Sequence, residues 1–267
     1  MSIVEHQTPS SLSEAYQLLQ SNPDNMIIGG GAWMKLSHPK VNVMISLEQL
    51  GLNQILETSI GVTIGAKVTL RELETSPILL ALADGVLSQA ARSIASVQLR
   101  NIATIGGSIY GRFGFSDVLT ALMVLDPVLE FYHTEAMTLN EFLLLKKPPR
   151  DILVKIIIPK SSRVARFKKV AATALDFPIV NLAVARENEQ FSICVGCRPQ
   201  IAALAKKAMR EASNRLTHTR ESLSRVVELA VEELHFSDNF RSSKAYRRHL
   251  VKVHLERLLM EVTPIEN

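Results

Sequence analysis

Few residues in this 267-residue chain have types and spacings suited to chemistry. Cys194 and Cys197, in SICVGCRP, are three positions apart, as a redox dithiol or half of a four-ligand metal site would be. They are the only two cysteines, so no second pair completes a metal site. FSICVG also reads as a strand, not as the helix start that lowers a thiol pKa, so packing near a strand end is the competing reading. The segment 100–117, RNIATIGGSIYGRFGFSD, holds four glycines, hydroxyls at Thr104 and Ser108 around the first glycine pair, and a closing Asp117. A second glycine cluster, Gly29, Gly30 and Gly31 in NMIIGGGAWMKL, follows a short apolar run, with Trp33 close behind.

Bare glycine turns have two readings. Glycine permits positive φ angles and close packing, and successive unobstructed N–H groups can cradle an anion such as a phosphate, above all where a helix begins. Thr104 and Ser108 could add O–H donors to the amides of Gly106 and Gly107. Asp117 can cap the helix that follows or accept a hydrogen bond from a sugar hydroxyl. The common nucleotide motifs do not match: Met34 stands where the last glycine of GxGxxG belongs, and GxxxxGK(S/T) is absent.

The elements that must position these residues follow from periodicity. Ser11 and Glu14 have capping spacing before a short helix, NMII and KVNVMIS read as strands, and these make a first segment to about residue 55. SIGVTIGA alternates as a half-buried strand, Thr69 and Glu72 again have capping spacing, and PILLALADGVLSQAARSI reads as one helix to about Ile94. Ser116 or Asp117 can cap DVLTALMVLD, and VLEFYH and ILVKIIIP are later strands, closing a second segment, 56–162. From residue 163 to 267, ARFKKVAATA, PIVNLAVAREN and EQFSICVG give strands with a hairpin turn at RENEQ. Three amphipathic helices follow, in PQIAALAKKAMREAS, RESLSRVVELAVEEL and SKAYRRHLVKVHLERLLMEV, the last with Tyr246, Leu250 and Val253 on its core side. Strands followed by helices give an α+β fold.

Lys and Arg number 30 against 26 Asp and Glu, a formal charge of +4, and no aromatic-basic module or zinc finger accompanies it, so nucleic acid is not an expected partner. No apolar run reaches the roughly 20 residues of a membrane span. No secretory leader is visible, which makes the cytoplasm the expected compartment.

GGGAWMKL and RNIATIGGSIYGRFGFSD, with a strand-rich and then helical C-terminal part ending in SKAYRRHLVKVHLERLL, resemble the FAD-binding medium subunit of molybdenum hydroxylases, the family of the flavoprotein parts of xanthine dehydrogenase and carbon monoxide dehydrogenase. The resemblance covers nearly the whole chain, and the RNxATIGGS segment with its downstream aspartate is its most specific piece. It implies a two-subdomain FAD-binding domain, 1–55 and 56–162, followed by an α+β C-terminal domain, 163–267. Ile28, Gly29, Gly30, Gly31 and Ala32 then match the first flavin loop at the pyrophosphate, and Thr104, Ile105, Gly106, Gly107 and Ser108 match the second. Asp117 matches the acidic residue that contacts the sugar or ribityl chain. Trp33, Tyr110 and Phe113 are candidates for shielding FAD, and Lys168 and Lys169 for facing either the nucleotide or water at a solvated strand edge.

The resemblance further implies an electron-transfer subunit. It would take electrons from an iron–sulfur subunit with two 2Fe–2S clusters, beside a large molybdenum-cofactor subunit, and pass them to NAD+ or another acceptor. No catalytic acid or base and no metal ligand is then expected on this chain. The sequence departs from the family at AATALDFP, where Ala172 and Thr173 stand in a region that commonly carries arginine or another polar residue, and this leaves the acceptor open. The alternative is a stand-alone FAD-dependent oxidoreductase acting on its own small substrate.

Overall fold

The computed structural model describes residues 2–32 and 40–264. It divides into two compact units, each assembled from separate stretches of chain: Met1–Leu73, Ser96–Gly111 and Pro127–Pro159 form one, and Glu74–Ala95, Arg112–Asp126 and Lys160–Asn267 the other.

The first unit holds two sheets. In the smaller, β1 (Ser2–Gln7), β2 (Met26–Ile28) and β3 (Lys40–Ser46) lie parallel in the order β1-β3-β2. β1 has no alternating apolar face, and its side chains are largely exposed, so periodicity gives no sign of it. The helix Leu12–Ser21 is capped by Ser11, whose Oγ accepts from the Glu14 amide, and it buries Ala15 and Leu19 against Val43, Ile45 and Leu47. The second sheet is antiparallel, β4-β5-β8-β6-β7, built from β4 (Ile55–Thr58), β5 (Gly61–Gly65), β6 (Val128–Phe131), β7 (Met137–Thr138) and β8 (Leu153–Pro159). β5 buries Val62 and Ile64, as its alternation requires.

The second unit is built on an antiparallel sheet, β12-β11-β10-β9, from β9 (Val164–Val170), β10 (Val180–Glu187), β11 (Gln190–Gly196) and β12 (Ala203–Leu204). Leu182 and Val184 of β10 and Ile193 and Val195 of β11 pack into one core with Leu223, Val227, Val251 and Leu255 of the C-terminal helices. The helix Asp117–Met123 also packs on β10 and β11. β10 is therefore buried on both faces, which is why PIVNLAVA reads as a continuous apolar run rather than an alternating one. Strands and helices together make the chain α+β.

Three local expectations are corrected. Residues 77–94 are not one helix: Pro77–Ala81 stops, Ala83, Asp84 and Gly85 take left-handed φ values of 46°, 55° and 73°, and Val86–Arg92 starts afresh. The apolar spacing continues across this break, so periodicity cannot see it. PQIAALAKK gives the short strand β12 first, and its helix spans only Lys206–Ser213. In the helix Lys244–Val262, Tyr246 is 50% exposed and Val253 lies outside the buried stripe, which comprises Arg247, Leu250, Val251, Leu255, Leu258, Leu259 and Val262. Arg247 can be buried because its guanidinium donates to the carbonyls of Ile179 and Cys197 and to Asn239 Oδ1. No helix among the described residues is long and apolar enough to cross a membrane.

Candidate functional site

In the first unit the two glycine loops meet. The first, 29–32, leaves the end of β2, and the second, Thr104–Ser108, opens the helix Ile105–Gly111. A Cβ on Gly30 would lie 1.4 Å from the Ile102 carbonyl oxygen, and one on Gly29 would lie 2.7 Å from Thr104 Oγ1. Close approach of the Ile102 backbone therefore demands glycine at position 30, and Gly29 packs on the Thr104 hydroxyl. A corner after β5 holds the second loop: the amides of Gly106 and Ile105 donate to the carbonyls of Ala66 and Val68, both at 2.9 Å, and the Leu70 amide donates to Ala103 at 2.8 Å. Gly106 also packs tightly on that corner, where its Cβ would stand 2.6 Å from Ala66 O.

Gly107 differs. It is exposed, and an added Cβ would meet only Thr104 Oγ1, at 3.2 Å. Neither a positive φ nor a neighbouring backbone requires glycine there, so its missing side chain leaves an open surface on the loop. That open surface fits a diphosphate lying against bare backbone. Most of the donors expected from this loop are otherwise engaged. The Gly107 amide donates to Thr104 Oγ1 at 3.2 Å, the Ser108 amide to Thr104 O at 3.0 Å, and Ser108 Oγ to Thr104 O at 3.0 Å. These bonds start the helix, so the second loop offers shape more than N–H groups. Ile28 and Gly31 bracket the first loop, with Gly31 at φ 71° and its missing Cβ position 3.2 Å from Ile28 Cδ1; Ala32 follows, and Trp33 lies outside the described residues.

Sequence reasoning missed Lys67, on the same corner. It is buried between Ala66 and Val68, and its Nζ donates to Gly29 O at 2.9 Å and to Glu48 Oε1 at 2.5 Å. A lone charge in the apolar run GAKVTL is the signal that could have found it.

In the second unit Asp117 is 3% exposed. It does not cap its helix: Ser116 does, its Oγ accepting from the Leu119 amide at 3.2 Å. Asp117 Oδ1 accepts from Asn181 Nδ2 at 2.6 Å, and Oδ2 lies 3.4 Å from Ser93 Oγ and 3.8 Å from Lys169 Nζ. Thr120 Oγ1 donates to Asn181 Oδ1 at 2.8 Å, and the missing side chain of Gly196 makes room for that pair. Burial pushes the Asp117 carboxyl up to about 6, against the lowering pull of the Asn181 hydrogen bond and the Lys169 ammonium.

Lys169, with its side chain 10% exposed, also donates to Ser93 O at 2.8 Å. Lys168, the other lysine expected to face the nucleotide or water, is exposed, and strand alternation turns it to the other face of β9 from Lys169. Asn181 had a sequence signal too, as a single amide inside IVNLAVA. Lys169 had one as well, as the neighbour of Lys168 that could face either the nucleotide or water, whereas Ser93 and Thr120 had none, because nothing in a linear pattern pairs residues so far apart.

The aromatic candidates part company. Tyr110 sits in the first unit, where its hydroxyl donates to Asp151 O at 2.9 Å and its ring meets Phe142 and Phe131 edge-on at 5.5 and 6.3 Å. Burial, with the nearby Asp151 charge, raises its phenol above the ordinary value. It is half-buried there, with its hydroxyl and ring both engaged inside the unit. Phe113, in the second unit, stacks on Phe115 at 5.1 Å, and Phe115 meets Phe177 edge-on at 4.7 Å. Cys194 and Cys197 are buried free thiols. Burial pushes Cys194 up to about 12, which leaves it inert as a nucleophile. No cluster of metal-ligating side chains occurs among the described residues.

Known proteins resemble the chain in sequence and in fold. Residues 3–161 match the family described as the FAD binding domain in molybdopterin dehydrogenase, and residues 165–262 match the CO dehydrogenase flavoprotein C-terminal domain. The chain is 27% identical over 252 residues to the uncharacterized protein YgfM of Escherichia coli K12, covering 92% of this chain and 91% of that one. It is 24% identical over 276 residues to the putative xanthine dehydrogenase FAD-binding subunit XdhB of the same strain, covering 94% and 93%. Among solved structures, a chain of the reconstituted CO dehydrogenase from Oligotropha carboxidovorans superposes with a TM-score of 0.88 at 21% identity, covering 98% of each chain. With both halves matched in order, the chain belongs to the FAD-binding flavoprotein subunits of the molybdenum hydroxylase family of oxidoreductases.

Proposed function

We propose that the chain is the electron-transfer subunit of a heteromeric molybdenum hydroxylase, holding FAD on its two glycine loops. The observation that carries this reading is Gly107, a glycine that neither a positive φ nor a neighbouring backbone requires, exposed on a loop that is otherwise locked in place. FAD, when bound, supplies the redox chemistry, and the chain supplies binding and orientation. The glycine loops would take the diphosphate, and Asp117 would accept a sugar or ribityl hydroxyl. Electrons would come from an iron–sulfur subunit with two 2Fe–2S clusters, next to a large subunit with the molybdenum cofactor, and leave to NAD+ or another acceptor. The substrate pocket would then lie on another chain.

The test is to purify the tagged chain from its native cells. The expected result is a yellow protein that releases FAD on denaturation and copurifies with one iron–sulfur and one molybdenum-containing polypeptide. FAD without partners, together with substrate oxidation by the isolated chain, would favour the stand-alone oxidoreductase instead. A colourless chain that takes up no added FAD, alone or with its copurifying partners, would refute both.

A further inference from the structure

We infer that Lys67 is a positioning residue for the FAD diphosphate: by gripping the Gly29 carbonyl it fixes the direction of the Gly30 amide. The inference rests on the FAD reading above and concerns how the first loop is held in its binding form.

Burial alone does not account for a lysine at this position. Its neighbours Ala66 and Val68 are apolar and buried, and Lys67 itself is 7% exposed. Removing an ammonium from water is costly unless it is well paired, and its carboxylate partner Glu48 has a side chain 69% exposed. The ammonium does, however, tie down one peptide unit. Lys67 Nζ lies 2.9 Å from Gly29 O, and the Gly29–Gly30 bond is trans. In a trans peptide the C=O and the following N–H point in opposite directions, so the Gly30 N–H points away from Lys67.

A peptide between two glycines is also the one that flips most easily, because no Cβ resists either orientation. It needs an external hold if it is to present one face. The adjacent residue performs the matching task for the second loop, since Ala66 O accepts the Gly106 amide at 2.9 Å. Residues 66 and 67 thus hold one glycine loop each. Because the amides of Ile105 and Gly106 are committed to Val68 O and Ala66 O, and those of Gly107 and Ser108 to Thr104, the first loop is where an N–H can be aimed at phosphate. Lys67 reaches the ligand through that amide, not as a phosphate ligand.

The experiment is FAD titration of the full-length apoprotein by flavin fluorescence at several salt concentrations, with apoprotein melting as the fold check, for wild type, Lys67→Met, Lys67→Arg and Glu48→Gln. Loss of one charge-assisted amide bond predicts a Kd for Lys67→Met raised about tenfold or more. The slope of log Kd against log salt should stay unchanged, because no cation–phosphate contact is lost. Lys67→Arg, which can still donate to Gly29 O, should recover most of the affinity, and Glu48→Gln should stay within about threefold of wild type. The inference is overturned by wild-type affinity in Lys67→Met, by an altered salt slope, or by a loss in Glu48→Gln as large as tenfold. This last variant decides the matter if Lys67→Met does not fold. Failure of the wild-type chain to take up FAD would instead bring down the FAD reading, and this inference with it.

Discussion

The two ends of RNIATIGGSIYGRFGFSD do their work by opposite means. Thr104–Ser108, in the first unit, is a site of bare backbone whose shape is set by sterics: glycine where Ile102 and Ala66 leave no room, and an open face at Gly107. Asp117, in the second unit, is a site of buried charge, set by one amide, one ammonium and one hydroxyl around a carboxylate. A steric site is indifferent to pH and intolerant of a methyl group. A buried carboxylate is tolerant of small changes in shape and responds to pH. The contrast can be broken at several points.

The largest effect is expected at Gly30. Its Cβ position falls inside the Ile102 carbonyl, so Gly30→Ala must push the two loops apart. Overpacking of this kind costs about 3 kcal/mol, read as a lower melting temperature of the apoprotein at every pH, and FAD uptake should be lost with it.

The Asp117 effect should be comparable in size but conditional on pH. Burial raises its carboxyl from the ordinary 3.8 to about 6, so the native state holds the proton more tightly than the unfolded chain. The contribution to stability is then full below about 3.8 and is lost as the pH rises through about 6. A shift of about two pKa units corresponds to about 3 kcal/mol. Thermal melts of wild type and Asp117→Asn between pH 4 and 8 isolate it by difference, because Asp176, which the Arg241 guanidinium holds below the usual carboxylate range, slopes the other way at more acidic pH. The variant should lose the Asp117 slope; two parallel curves would show that the carboxylate is not strained by burial.

Ser116→Ala should cost about 1 kcal/mol, the worth of a helix N-cap, and should leave FAD affinity unchanged. If Asp117→Ala produced the cap-sized loss and Ser116→Ala none, the assignment of the cap would be reversed.

What was legible in the sequence follows the same division. The glycine loops show because backbone approach leaves a mark that only glycine can make, and β5, β10 and β11 show because burial imposes a pattern along one strand. Asp117 was visible, but its assembly with Asn181, Lys169 and Ser93 was not: they reach it from other elements, and only folding brings them together. The break at Ala83–Gly85 was hidden for a different reason, since apolar spacing persists while φ changes sign. Arg247 was hidden in yet another way, because a guanidinium that donates to backbone carbonyls can be buried within a run of bases. β1, with its exposed side chains, left no pattern at all.

The most direct measurement is FAD affinity beside apoprotein stability in Gly107→Val. A valine in place of this glycine changes helix propensity by only a few tenths of a kcal/mol, and its Cβ meets nothing but Thr104 Oγ1. The apoprotein should therefore melt within about 2 °C of wild type. If the open face of the second loop carries the diphosphate, FAD should bind about tenfold more weakly or worse. Unchanged FAD affinity in a normally folded Gly107→Val chain would contradict the assignment of the site.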